Sequence, residues 1–129
     1  MKNLLIYSKL NEADDYLVQM AEELINDTRI ADKKNGKNIM ESSQLRNVMS
    51  VAIETDSLAV VENFIKYQIG RRNEWRHNDF GEKMLEQLNK IRKMAASMLN
   101  EHAQELQIQM ARRYIGYLIR YFTYCQKGG

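Results

Sequence analysis

The chain has 129 residues, 44% apolar and 28% charged, which suits one globular domain with a real core and excludes a disordered chain. No apolar run approaches the ~20 residues a membrane span needs, "MKNLLIYSKL" lacks the apolar region of a secretory signal, and a lone Cys125 excludes an intrachain disulfide framework. A cytoplasmic protein without a membrane partner is expected.

The formal charge of +2 is unevenly spread. Residues 1–30 carry six acids against three bases, a net of −3, and the remaining 99 carry a net of +5. An acidic end followed by a basic body suits a protein that meets an anion with one face, or one that stacks head to tail.

The absence of proline and the presence of only six glycines favour helix throughout. Residues 1–10 are expected to form an N-terminal segment ahead of the first helix. From 11 to 27, Ala13, Leu17, Met20, Ala21 and Leu24 share one face with acids opposite, the mark of an amphipathic helix. The period fails over residues 28–41, "TRIADKKNGKNIME", where Asn-Gly signals a turn, so a loop is expected. Ser42 or Ser43 offers an N-cap to a second helix that would turn Leu45, Val48, Met49, Ala52 and Ile53 inward. "ETDS" supplies a short turn and the next cap, and residues 57–72 follow as a third helix with Leu58, Val61, Ile65 and Ile69 at helical spacing.

Residues 80–99 predict a fourth helix on Met84, Leu88, Ile91, Ala95 and Met98. Residues 102–125 predict a fifth, on Leu106, Met110, Tyr114, Tyr117, Leu118, Tyr121 and Phe122. Nothing between Asn100 and Ala103 is a strong breaker, yet an unbroken helix from 80 to 125 would project far from so small a core, so a break is expected. The fold class is all-α, a compact bundle of about five helices in a single domain, residues 1–129.

Catalytic signatures are weak. "DFG", Asp79–Gly81, matches the magnesium-binding triplet of protein kinases, but the other kinase parts are missing, and an Asp cap opening the fourth helix is the simpler account. His77, His102 and Cys125 lack metal-ligand spacing, and there is no Gly-rich phosphate loop. The expectation is a non-enzyme with no metal, cofactor or small-molecule substrate.

Basic residues fall in four groups: Lys33, Lys34 and Lys37 in the first loop; Arg46 near the start of the second helix; Arg71, Arg72 and Arg76 after the third; and Arg112, Arg113 and Arg120 on the fifth. Singly, each is accounted for by a solvated face. Together they change the picture. If the second and third helices form a hairpin through residues 54–57, Arg46, Arg71 and Arg72 meet at its open mouth. Clustered arginines suit bidentate contact with phosphate.

"SSQLR", Ser42–Arg46, resembles the Ser/Thr–x–Ile/Leu–Arg opening in the small subunit of type III-A CRISPR effector (Csm) complexes. "YQIGRR", Tyr67–Arg72, is similar to that family's aromatic–x–x–Gly–Arg helix ending, and "RRYIGYLIRYFTY", Arg112–Tyr124, to its aromatic-rich closing helix. The order and spacing agree over residues ~40–125. The chain departs from the pattern at Gly116 and Arg120, which leaves the related type III-B (Cmr) small subunit open. The resemblance implies a non-catalytic protein, stacked in several copies beside larger backbone subunits and holding guide RNA and target RNA. A basic face would follow the phosphates while base pairing supplied sequence recognition. Gly70 would let the helix end or a strand approach. The acidic first helix would meet a neighbouring copy's basic surface.

The alternative is a helical adaptor or oligomerisation protein binding protein partners. A helix-turn-helix reading of "SSQLRNVMSV" fits less well, because residues 57–70 are largely apolar and carry Lys66 as their one base.

Overall fold

Apolar residues at intervals of three and four wind the first helix, and the interval starts before residue 11. In the computed structural model, which describes residues 2–128, α1 spans Lys2–Thr28. Ile6 and Leu10 carry the buried stripe of Ala13, Leu17, Met20, Ala21 and Leu24 back towards the start, so residues 2–10 are helix rather than a separate segment. At the other end the buried Thr28 hydroxyl donates to the Leu24 carbonyl at 2.7 Å.

The loop over 28–41 contains a short antiparallel hairpin, β1 (Lys33–Lys34) and β2 (Lys37–Asn38). Asn35 and Gly36 between them have φ of 56° and 78°, the paired positive values a two-residue type I′ turn needs. Buried Ile30, Ala31 and Met40 tie its base to the core.

Helix α2 spans Ser42–Glu54 and buries Leu45, Val48 and Ala52. Met49 is half-buried, and Ile53, expected inside, is 63% exposed. Neither serine caps the helix: Glu41 holds the N-cap position without a side-chain bond, while the Ser42 hydroxyl accepts from Arg46. Ser57 does cap α3 (Leu58–Arg71), accepting from the Val60 amide. A 3-10 segment, Asn73–Asp79, then leads into α4 (Phe80–Met98). Asp79 holds the N-cap position of α4 in the left-handed region, φ 60°, with no side-chain cap bond. The expected break before α5 (Ala103–Gly128) is present, with His102 at φ 67°.

The order of the helices in space follows from the ties between their ends. Lys2 pairs with Glu105 at 3.1 Å, joining the starts of α1 and α5. Asn78 donates to the Thr28 carbonyl at 2.9 Å, and Gln126 to the Met40 carbonyl at 3.1 Å. Thus α1, α3 and α5 run one way, α2 and α4 return, and α5 packs on α1, α2 and α4 around one core. One end of the bundle gathers the hairpin, the start of α2, the end of α3 and the 3-10 segment.

Trp75 is fully buried in that segment, its ring 5.4 Å from Phe80. Gly81 is where α4 passes under it. A Cβ there would strike Ile69 and lie 3.0 Å from the Trp75 carbonyl oxygen, so only glycine fits without displacement. Gly70, by contrast, has open space around it.

Candidate nucleic-acid interface

The Asn-Gly turn places Lys33, Lys34 and Lys37 on a projecting tip, all three exposed. Beside it lies a cavity of about 420 Å³ lined by Lys34, Asn35, Lys37, Asn38, Ile39, Asn73, Glu74 and His77. Its far wall is therefore the 3-10 segment. That wall is held by Asn78 on the end of α1 and by the Trp75 indole N–H, which donates to Gln44 Oε1 at 3.4 Å in the first turn of α2.

Arg46 is exposed in the first turns of α2 and donates to the Ser42 hydroxyl at 2.7 Å, so its head turns back towards this end. Arg71 is exposed at the end of α3, where it donates to the Tyr67 hydroxyl at 3.0 Å and lies 5.1 Å from that ring's centre. The two helices do form the hairpin that brings their charged ends to one mouth.

Four other arginines, Arg72, Arg76, Arg112 and Arg113, are engaged by the fold. Arg72 pairs with Glu74 at 2.6 Å. Arg76 donates to the Ile69 carbonyl at 2.6 Å and to Asn73, closing the end of α3. Arg112 donates to the carbonyls of Ala52 and Thr55, each at 2.8 Å, closing the end of α2 at the opposite end of the bundle. Arg113 pairs with Asp14 at 2.7 Å and binds α5 to α1.

Among the described residues, Lys33, Lys34, Lys37, Arg46 and Arg71 form no ion pair. Seven of the nine residues expected to bind nucleic acid thus fall at one end, and Arg112 and Arg113 do not. Sequence reasoning missed Asn73 and the ring of Tyr67. The Tyr67–Arg71 spacing of four on one helix was a usable signal for the second.

The five unpaired cations can neutralise phosphate oxygens without first breaking an ion pair, and Arg46 and Arg71 can each offer two N–H groups to one phosphate. Among the described residues no three His, Cys, Asp or Glu side chains converge as a metal ion would need. No helix is long and apolar enough to cross a membrane.

Two tyrosines elsewhere show what burial does to a hydroxyl. Desolvation pushes the Tyr114 phenol well above its ordinary value. Partial burial, aided by its bond to Asp14, raises that of Tyr117.

No family model, no curated protein and no solved structure matches this chain at a significant level.

Proposed function

We propose that the protein is a non-catalytic small subunit of a type III CRISPR ribonucleoprotein, of the Csm kind, which holds the guide RNA–target RNA backbone through its basic end. The observation that carries this reading is that Lys33, Lys34, Lys37, Arg46 and Arg71, none of them in an ion pair among the described residues, lie at one end of the bundle, where Lys34 and Lys37 line a cleft. Phosphate contacts of this type position a duplex and carry no base information, which leaves sequence recognition to pairing. One such patch covers few phosphates, so stacked copies would extend the grip along one duplex.

The test is charge reversal of Lys34, Lys37, Arg46 and Arg71 in protein recovered from its native cells with its partners. RNA retention should fall about equally for every target sequence, with a salt slope shallower by roughly one for each phosphate no longer neutralised. Reversal of Lys90 and Lys93 on the exposed face of α4 should do less. Native recovery of protein partners with no RNA would instead support an adaptor. That second reading is favoured by the exposed Leu4, Ile53 and Val60, which lie towards the opposite end of the bundle.

A further inference from the structure

On the side of the bundle, in the halves of α1 and α5 that run towards the basic end, a cavity of about 660 Å³ lies between the two helices, lined by Val18, Glu22, Tyr117, Arg120, Tyr121 and Tyr124. Its size is within the range of small-ligand clefts. The tyrosines recur along one face of α5, and α1 fixes two of them. The Tyr117 hydroxyl donates to Asp14 at 2.7 Å, and the Tyr121 hydroxyl to Asn26 at 2.9 Å. Tyr124 stacks on Tyr121 with centroids 5.9 Å apart and planes inclined by 28°, yet remains 71% exposed. Arg120 lies 5.8 Å from the centre of the Tyr117 ring and forms no ion pair among the described residues. Asp14 is already neutralised by Arg113, so Glu22 and Arg120 are the opposed charges of the lining. Core packing does not account for an open aromatic pair, one ring of it anchored to α1, beside a guanidinium that forms no ion pair among the described residues.

We infer that this furrow binds a nucleotide, with the base stacked on the Tyr121–Tyr124 pair, the phosphate on Arg120, and an amino group of the base turned to Glu22. Stacking on aromatic side chains is tolerant of base identity and needs an open base face, which a paired base inside a duplex does not present. A basic peptide would suit Glu22 and the rings but would be repelled by Arg120. The same chemistry is offered by a free mononucleotide and by an unpaired nucleotide in a strand. The site shares no residue with the cations of the basic end, and it would take a base rather than backbone alone.

The experiment titrates the full chain with adenosine monophosphate and with a short RNA carrying 2-aminopurine, single-stranded or annealed to its complement. Saturable binding of the monophosphate, and quenching of the single strand but not of the duplex, are expected. Tighter binding of the strand than of the monophosphate assigns the site to RNA, and the reverse to a free nucleotide; either supports the inference. Tyr124→Ala should weaken binding about tenfold or more, and Tyr124→Phe should retain it. Arg120→Ala should weaken the monophosphate and leave adenosine unchanged. Arg46→Glu with Arg71→Glu should leave monophosphate binding intact, which separates this site from the proposed backbone interface. The inference is overturned if neither probe saturates at millimolar concentration, if Tyr124→Ala binds normally, if the Arg46/Arg71 reversal abolishes binding, or if an oligolysine peptide alone occupies the furrow.

Discussion

Arg112 separates architecture from binding more sharply than any other cation in this chain. Its guanidinium holds the Ala52 and Thr55 carbonyls, each at 2.8 Å, and so replaces the bonds that the last turn of α2 cannot make for itself. Asp56, 3.4 Å away and fully exposed, adds little. Hydrogen bonds to charged groups contribute about 1.5–3 kcal/mol each, and leaving their partners unpaired adds to the loss. The Arg112 side chain is 26% exposed, however, so water can reach part of the vacated site. A net cost of about 2 kcal/mol is therefore expected for Arg112→Ala. For a domain of this size that corresponds to a fall in Tm of about 6–10 °C.

Calorimetry and urea titration of the free protein measure that loss, and RNA retention is scored per folded molecule. Arg112→Ala should lower Tm and leave retention unchanged, whereas Arg46→Ala should shift stability by less than about 0.5 kcal/mol and weaken retention. Arg112→Lys should recover only part of the stability, because one ammonium cannot span both carbonyls as the planar fork does. An unchanged Tm for Arg112→Ala, with RNA retention lost, would refute the assignment and return Arg112 to the binding surface.

Two other outcomes follow from packing and burial. Gly81→Ala should destabilise by about 1–3 kcal/mol, since the added methyl group meets Ile69 and the Trp75 carbonyl; Gly70→Ala, facing open space, should not, and thermal unfolding of the pair measures the contrast. Tyr114 binds its proton more tightly folded than unfolded, because burial disfavours the phenolate. Its contribution is therefore complete below the ordinary tyrosine value of about 10 and is lost as pH climbs past it. Denaturant unfolding from pH 8 to 11 should show a shallower alkaline decline for Tyr114→Phe than for the parent protein. That variant should also be less stable at pH 8, having lost the bond to Gln87.

Helix identity was legible in the sequence because it is a local property. Ala13, Leu17, Met20 and Leu24, or Met84, Leu88, Ile91 and Ala95, lie at intervals that put them on one face whatever surrounds them. The Asn-Gly turn was legible for the same reason, and so was a cap for α3 within "ETDS", since each depends on bonds within a few residues; the expected Ser42 or Ser43 cap of α2 did not form. The early start of α1 was also written there, in the spacing of Ile6 and Leu10.

The division of the arginines was not. Arg112 reaches carbonyls 57 and 60 residues away, and Arg113 reaches a carboxylate 99 residues away; nothing adjacent to either marks them as internal. Sequence reasoning therefore grouped them with Arg46 and Arg71, whose surroundings are only their own helices. Trp75 stands among charges in the sequence, yet it is buried because the 3-10 segment folds back over the start of α4. Gly81 is required by Ile69, twelve residues before it. The sequence by itself determined which segments are helical and which of their faces are apolar. Tertiary structure decided which charges those helices enclose and which they leave to solvent, because that choice depends on partners brought close only by packing.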